Sequence, residues 1–359
     1  MAATMHDVAR LAGVSIKTVS NVVNGYPHIR ETTRARVLAA IKDLDYRINV
    51  AARNLRTGRT GIIALAVPEL SLPYFAELAD SVIEAADAQG LTVLIEQTGS
   101  RRERELEVLS GARRHLTDGL IFSPLALGPG DEGLLQVDFP VVLLGERLFP
   151  ESVDHVTMRN VEAARAATEY LIALGRRRIA VVGVHPGEVV GSAGLRLKGH
   201  RQALDAAGIP LDERLLGEAG LWHRATGARA TADLLDAGAE PDAVFALNDA
   251  MALGVLHELQ LRGLRIPEDV AVIGFDAVDE GSYSNPSLTT VDAGREQIAT
   301  TAVRLLVEQV RSKGTQREPQ RVFADFRILE RGSTPHAAPH APPAAPPADL
   351  PAHAASSLH

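Results

Sequence analysis

Between residues 61 and 330, short apolar runs alternate with amphipathic stretches of helical period. GIIALAV (61–67) reads as a buried strand and LTVLIEQ (91–97), GLIFS (119–123) and VVLLG (141–145) as the next ones in the series, with helical patterns from about Phe75 to Gln89 and over 101–116. The theme then restarts. A helix over 161–174, closed by Gly175, leads to RIAVVGV (178–184), helices over 194–207 and 224–237, AVFALN (243–248), a helix over 250–262, DVAVIGF (269–275) and a last helix near 295–312. Strands with no polar face are covered on both sides, which calls for parallel strands joined by helical crossovers. Some ten strands fit two doubly wound halves better than one, so an α/β body over 60–330 with two lobes is expected. Ligands of such folds bind beyond the carboxyl ends of the strands.

The first 58 residues follow a different pattern. Thr4 and Asp7 stand at capping-box spacing, and Val8, Leu11 and Ala12 share one helical face. Gly13 breaks that helix and Ser15 can cap a second, in which Val19, Val22 and Val23 point inward and which Asn24-Gly25 ends. A third helix, from about Glu31 to Leu44, would pack Val37, Leu38 and Ile41 beneath them. Two short helices joined by a glycine turn read as a helix-turn-helix headpiece, here residues 1–48, all-helical and distinct from the α/β body.

Charge separates the same regions. Residues 1–60 hold 10 Lys+Arg against 4 Asp+Glu, while the whole chain carries a formal −8. A basic head on an acidic body expects a polyanion at the head. Residues 331–359 are Pro/Ala/His-rich without a periodic apolar face, and a disordered tail is expected there. Its histidines lack a regular metal-ligand spacing, and no metal or cofactor is expected. The chain has no cysteine, no apolar stretch near ~18 residues and a charged N-terminus without an apolar core. A cytoplasmic protein with no membrane segment is the expectation. G-x-x-x-x-G-K-[ST], H-E-x-x-H and G-x-S-x-G after a strand are all missing from the sequence, and no carboxylate pair stands out for acid/base work. The chain is not expected to be an enzyme.

DVARLAGVSIKTVSNVVNG, then TRARVLAAIKDLDY and NVAARNLRTGRTGIIALAVP, resemble the headpiece, hinge and first strand of LacI/GalR-type transcription regulators. The likeness continues through PYFAEL, LGRRRIAVVG, RLKGHRQAL, LNDAMALGVL, IPEDVAVIGFD and PSLTTV, covering about residues 4–330. It implies a body like the periplasmic binding proteins, and a hinge over 49–59. Ile16, Lys17 and Asn21 match the base-reading positions. Lys17 can donate to guanine, Asn21 can pair with adenine and Ile16 can touch a thymine methyl. Ser15, Thr18, Ser20 and Asn24 are suited to phosphate contacts, and Arg10, Arg34 and Arg53 to general phosphate affinity. Leu55 matches an apolar wedge that enters the minor groove and bends the duplex. Ile48 stands where the family commonly has proline, and Asp45 where glycine is frequent.

In the body the resemblance implies an effector between the lobes. Tyr74, Phe75, Arg196, Trp222, Asn248 and Asp276 match effector-contacting positions, whereas Asp249 is expected to cap the next helix. Arg159 stands before Asn160 where the family often has aspartate. Aromatic faces with Arg, Asp and Asn suit a sugar, and also a nucleoside or purine. The function implied is a homodimeric repressor on a near-palindromic double-stranded DNA operator, controlled by a small sugar-like effector. The alternatives are a regulator using its ligand as corepressor and, from another class, a solute-binding transport protein.

Overall fold

A computed structural model describes residues 3–23, 26–46, 59–111, 114–312 and 317–335. Helices α1 (Met5–Ala12), α2 (Ile16–Val23) and α3 (Glu31–Asp43) form the head around Val8, Val19, Val22, Val37, Ala40 and Tyr46. The capping box is present: Thr4 N donates to Asp7 Oδ2 at 3.0 Å and Asp7 N to Thr4 Oγ1 at 3.3 Å. Gly13 ends α1 at φ 62°, a left-handed conformation that favours glycine. Ser15 Oγ accepts from Thr18 N at 3.1 Å. Two expected core leucines lie outside. Leu11 is 55% exposed and Leu38 51%. The buried arc of α1 runs through Val8, Ala9 and Ala12, and that of α3 through Val37 and Ala40, so the small core is filled one residue away from each leucine.

The body contains two six-stranded sheets. β1 (Ile62–Val67), β2 (Thr92–Gln97), β3 (Leu120–Phe122), β4 (Val141–Leu144) and β5 (Asp154–Met158) pair with a late strand, β11 (Arg321–Ala324), in the order β11-β5-β4-β3-β1-β2. Every pairing in this first sheet is parallel. The second sheet has the order β12-β10-β9-β8-β6-β7, from β6 (Ile179–Val184), β7 (Leu216–Glu218), β8 (Ala243–Ala246), β9 (Ala271–Phe275), β10 (Thr289–Asp292) and β12 (Arg327–Leu329). Here β12 runs antiparallel to β10, the one departure from the expected parallel arrangement among the described pairs. The strand-rich segments that the apolar pattern passes over are β5, β7 and β10 to β12, which carry His, Thr, Glu or Arg on short strands.

Each lobe turns back at one place, beside β1 in the first sheet and β6 in the second, where a doubly wound sheet opens a crevice. Helices α4 (Pro73–Asp87) and α5 (Arg102–Leu109) belong to the first lobe. The second lobe holds α6 (Asn160–Ala173), α7 (Ser192–Ala206), α8 (Arg224–Asp236), α9 (Asp249–Leu261) and α10 (Glu280–Tyr283). The chain crosses between lobes three times: from β5 to α6, from β10 to α11 (Arg295–Ser312), and from β11 to β12. α11 packs back on the first lobe against α4, β4 and β5. Residues 331–335, expected at the start of a disordered tail, are built into the second lobe. Ser333 and Thr334 are buried, and Ser333 Oγ donates to Val272 O and accepts from Thr289 N, both at 2.7 Å. Hydroxyl anchoring leaves no apolar periodicity to read. Residues 336–359 of the expected tail lie outside the described residues.

Candidate functional site

The head presents the start of α2. Ser15, Ile16 and Lys17 are exposed, and Asn21 lies one turn beyond Lys17, half-buried. An exposed isoleucine beside an exposed lysine leaves an apolar and a cationic contact free for a base edge. Thr18 is half-buried and its hydroxyl lies 2.9 Å from that of Ser15, so these two act as one hydroxyl pair at the helix start. Ser20 corrects the expectation for it. It is buried beside Val19 in the head, because the inward arc of α2 is 19, 20 and 22, and it presents no free hydroxyl to a phosphate. Asn24, Leu55, Arg53 and the greater part of the 49–59 hinge lie outside the described residues.

The carboxyl ends of the strands meet across a cavity of about 330 Å³. All six expected effector residues line it: Tyr74, Phe75, Arg196, Trp222, Asn248 and Asp276. Arg196, on α7, is buried and fixed from every side. Its Nε donates to Asn160 Oδ1 at 2.8 Å, Nη1 to the Leu247 carbonyl, and Nη2 lies 3.5 Å from both Met158 Sδ and Asp276 Oδ1. The guanidinium stacks 3.6 Å over the Phe275 ring and 5.5 Å from that of Trp222. It is thus a positioned cation, fixed by its partners on every side.

Asp276 follows β9 at φ 111°, a left-handed backbone that only a strongly constrained non-glycine residue keeps. Burial pushes its carboxyl up to about 7, against the pull of Arg196 and with a further push from Glu146. Trp222 is anchored by its edge, Nε1 donating to the Gly183 carbonyl at 3.0 Å, which leaves the ring on the cavity wall. Tyr74 and Phe75 pack edge to face at 5.2 Å, and burial raises the Tyr74 hydroxyl above its ordinary value.

Asn248 and Asp249 exchange their expected roles in part. Asn248 caps α9: its Oδ1 accepts from Met251 N at 2.8 Å and its Nδ2 donates to the Trp222 carbonyl at 3.2 Å. Both ends of the amide are committed, so Asn248 shapes the wall. Asp249 is not the cap. It is fully buried, accepting from Thr290 Oγ1 at 2.6 Å and from Val278 N at 2.9 Å, and it ties α9 to β10 and to the loop after β9. The side chain one residue earlier reaches the free N–H groups, which an aspartate at the first helical position does not.

Several lining groups were not found by the sequence argument: Glu146, Ser123, Thr157, Ser192, and the His185–Glu188–Arg147 cluster. Glu146 and Ser123 stand just beyond β4 and β3, where the strand-end rule that selects Asn248 and Asp276 applies equally. Glu188 accepts from His185 Nδ1 at 2.9 Å and faces Arg147 of the other lobe at 3.4 Å. Two more links join the lobes. Glu77 on α4 accepts from Asp279 N at 2.9 Å and pairs with Arg295 at 2.8 Å, and His223 lies 3.3 Å from Glu69. Among the described residues no group of three or more His, Asp or Glu could hold a metal ion, and no helix is long and apolar enough to cross a membrane.

Comparison with known proteins matches this two-part architecture. Residues 4–49 match the profile described as bacterial regulatory proteins, lacI family, and residues 168–334 that of a periplasmic binding protein-like domain. The HTH-type transcriptional regulator CelR of Thermobifida fusca is 35% identical over 339 residues, covering 92% of this chain and 98% of CelR. The chain belongs to the LacI family of transcription regulators. A solved LacI-family regulator from Sanguibacter keddieii is 52% identical, with TM-score 0.72, over 77% of this chain and 99% of its own. A CelR–cellobiose complex is 32% identical, with TM-score 0.67, over 92% of this chain and 99% of its own. The resemblance read from DVARLAGVSIKTVSNVVNG therefore holds along most of the chain, and so does the fold class. As a LacI-family member the protein is a DNA-binding transcription regulator, its helix-turn-helix at the head and its effector-binding fold in the body.

Proposed function

We propose that this regulator is a homodimeric repressor whose hold on a near-palindromic operator is set by a sugar-like effector in the cleft. The observation that carries the reading is Arg196, fixed between Asp276, Asn160 and the Phe275 ring where the two lobes meet. Rings that cover the apolar face of a sugar, beside charged groups that bond its hydroxyls, make a carbohydrate site. The CelR–cellobiose complex supports the same class. An effector that touches both lobes favours one angle between them, and the three crossovers pass that angle to the head. It shifts the balance only by its difference in affinity for the two states.

At the head, Ile16, Lys17 and Asn21 read bases, Ser15 and Thr18 set register on the backbone, and Leu55 wedges the minor groove at the operator centre. Two copies bound to symmetric half-sites follow from this mode of reading. The test uses the full chain. Operators are selected from random duplex DNA, sugars are screened by thermal shift, and operator affinity is measured with and without each hit. A sugar should raise the unfolding temperature and change operator affinity severalfold or more. If no sugar does the first, or none that does also does the second, the reading fails.

A further inference from the structure

We propose that the effector is an uncharged saccharide and that Glu146, at the end of β4, makes the cleft reject phosphorylated sugars. This rests on the reading that the cleft holds a sugar. A ligand phosphate is ordinarily received by free N–H groups at a helix N-terminus and by an unpaired arginine or lysine. Two of the helix starts that open on this cleft are met by protein groups, and a third, that of α4, has Pro73 at its first position, which has no N–H to give. α9 is capped by Asn248. α7, whose first residue Ser192 lines the cavity, meets one of the protein's own carboxylates: the Ser192 hydroxyl donates to Glu146. The place beside the start of α7 that a phosphate would take thus already holds a protein carboxylate.

The cations are also taken. Arg196 faces Asp276, Arg147 faces Glu188 and Arg295 faces Glu77. Glu146 and Asp276 are both buried on the wall, so a phosphate would enter between two carboxylates with the nearest guanidiniums already paired. Burial pushes the Glu146 carboxyl up from its ordinary value, against the pull of Arg196 and Asn160. A second anion would push it further. Hydroxyls meet the opposite situation. Thr157 Oγ1 is buried on this side with no hydrogen-bond partner. A sugar hydroxyl, both donor and acceptor, serves a threonine and a carboxylate together.

Calorimetry on the full chain tests this with matched pairs: glucose, ribose, trehalose and cellobiose, each beside its monophosphate. At least one uncharged sugar should bind, with its phosphate at least about tenfold weaker, a difference of about 1.4 kcal/mol. Glu146→Gln should remove most of that gap while holding the uncharged sugar within about tenfold, and Glu146→Asp, which keeps the charge, should preserve the gap. A phosphate that binds as tightly as its parent overturns the proposal, as does an unchanged gap in a Glu146→Gln protein that unfolds at the wild-type temperature. Should that variant not fold, the wild-type pairs alone decide. Silence from every probe overturns the sugar reading beneath the proposal, and is distinguishable from a phosphate that binds.

Discussion

The Arg196 guanidinium stands 3.5 Å from the Asp276 carboxylate, with both side chains buried, and stacks 3.6 Å over the ring of Phe275, the residue before Asp276. α7 and the end of β9 are thereby locked at the cleft wall. A buried pair of this kind is costly to break, because the partner left behind is an uncompensated charge.

Arg196→Ala should therefore do two things. Effector affinity should fall by about a hundredfold or more, from lost charged hydrogen bonds. The body should also lose stability, but less than the ~3–5 kcal/mol of a broken buried pair, because Asp276, already raised to about 7, takes up a proton once Arg196 is gone. Adding Asp276→Asn should restore much of the stability without restoring binding. Thermal unfolding and calorimetry of the two single variants and the double variant give the cycle. A double variant no more stable than Arg196→Ala would show that the pair is not what holds the wall.

At the head, Lys17→Ala and Asn21→Ala should each weaken operator binding by about 1–3 kcal/mol and leave binding to random duplex nearly unchanged. Ser20→Ala, by contrast, should act on head stability, since Ser20 is buried. Filter binding to operator and scrambled duplex at one salt concentration separates the cases. Equal losses on both duplexes for Lys17→Ala would make it a phosphate contact.

Most of the architecture was legible because apolar runs and helical periods alternate from Gly61 to Phe275, interrupted only where β5 and β7 carry polar residues. That Tyr74, Phe75, Arg196, Trp222, Asn248 and Asp276 would face one cavity was legible from the family pattern and, for Asn248 and Asp276, from their places beyond strand ends. Other features were not, for physical reasons. Ser333 and Thr334 hold the last described segment through hydroxyl bonds, which leave no periodic signal. Leu11 and Leu38 obey the helical period yet lie outside, because a core this small is filled by the neighbouring alanines and valines. Asn248 and Asp249 are adjacent polar residues at a helix start, and only the observed bonds decide which of them caps. Glu146 needed the strand-end rule applied to β4 as well as to β8 and β9.

Asn248→Ala should lower stability by about 1 kcal/mol through the lost cap of α9. It should also free the Trp222 carbonyl from its amide donor and so alter the indole's surroundings. Trp222 is the only tryptophan in the chain, so its fluorescence reports the cleft directly. An emission spectrum and an effector titration identical to wild type would separate Asn248 from the wall.

Stability should depend on pH through groups buried in the second lobe. Burial, with a further push from Asp276, raises the Asp249 carboxyl to about 8, although hydrogen bonds from the Thr290 hydroxyl and the Val278 N–H pull it down. Its unfolded value is about 3.9. The folded state then keeps a proton that the unfolded state has released, so this contribution is full below about pH 4 and is lost as pH rises through about 8. Asp276, raised to about 7, acts in the same direction. His200 acts in the opposite one. Burial lowers it to about 4, so its contribution is present above its unfolded value and is lost as pH falls towards 4. From pH 6.5 to 9 these two carboxyls lower the unfolding temperature, at roughly 2–4 °C per kcal/mol, and His185, raised by its bond to Glu188, contributes a loss of the same sign. Asp249→Asn keeps a donor for Thr290 and an acceptor for Val278 but cannot ionise. It also removes a repulsion from Asp276. Its unfolding temperature should fall less over the same range and should exceed that of wild type at pH 9. Calorimetric melts of both proteins at half-unit pH steps provide the measurement. Parallel curves for the two would mean that Asp249 is already ionised in the folded protein.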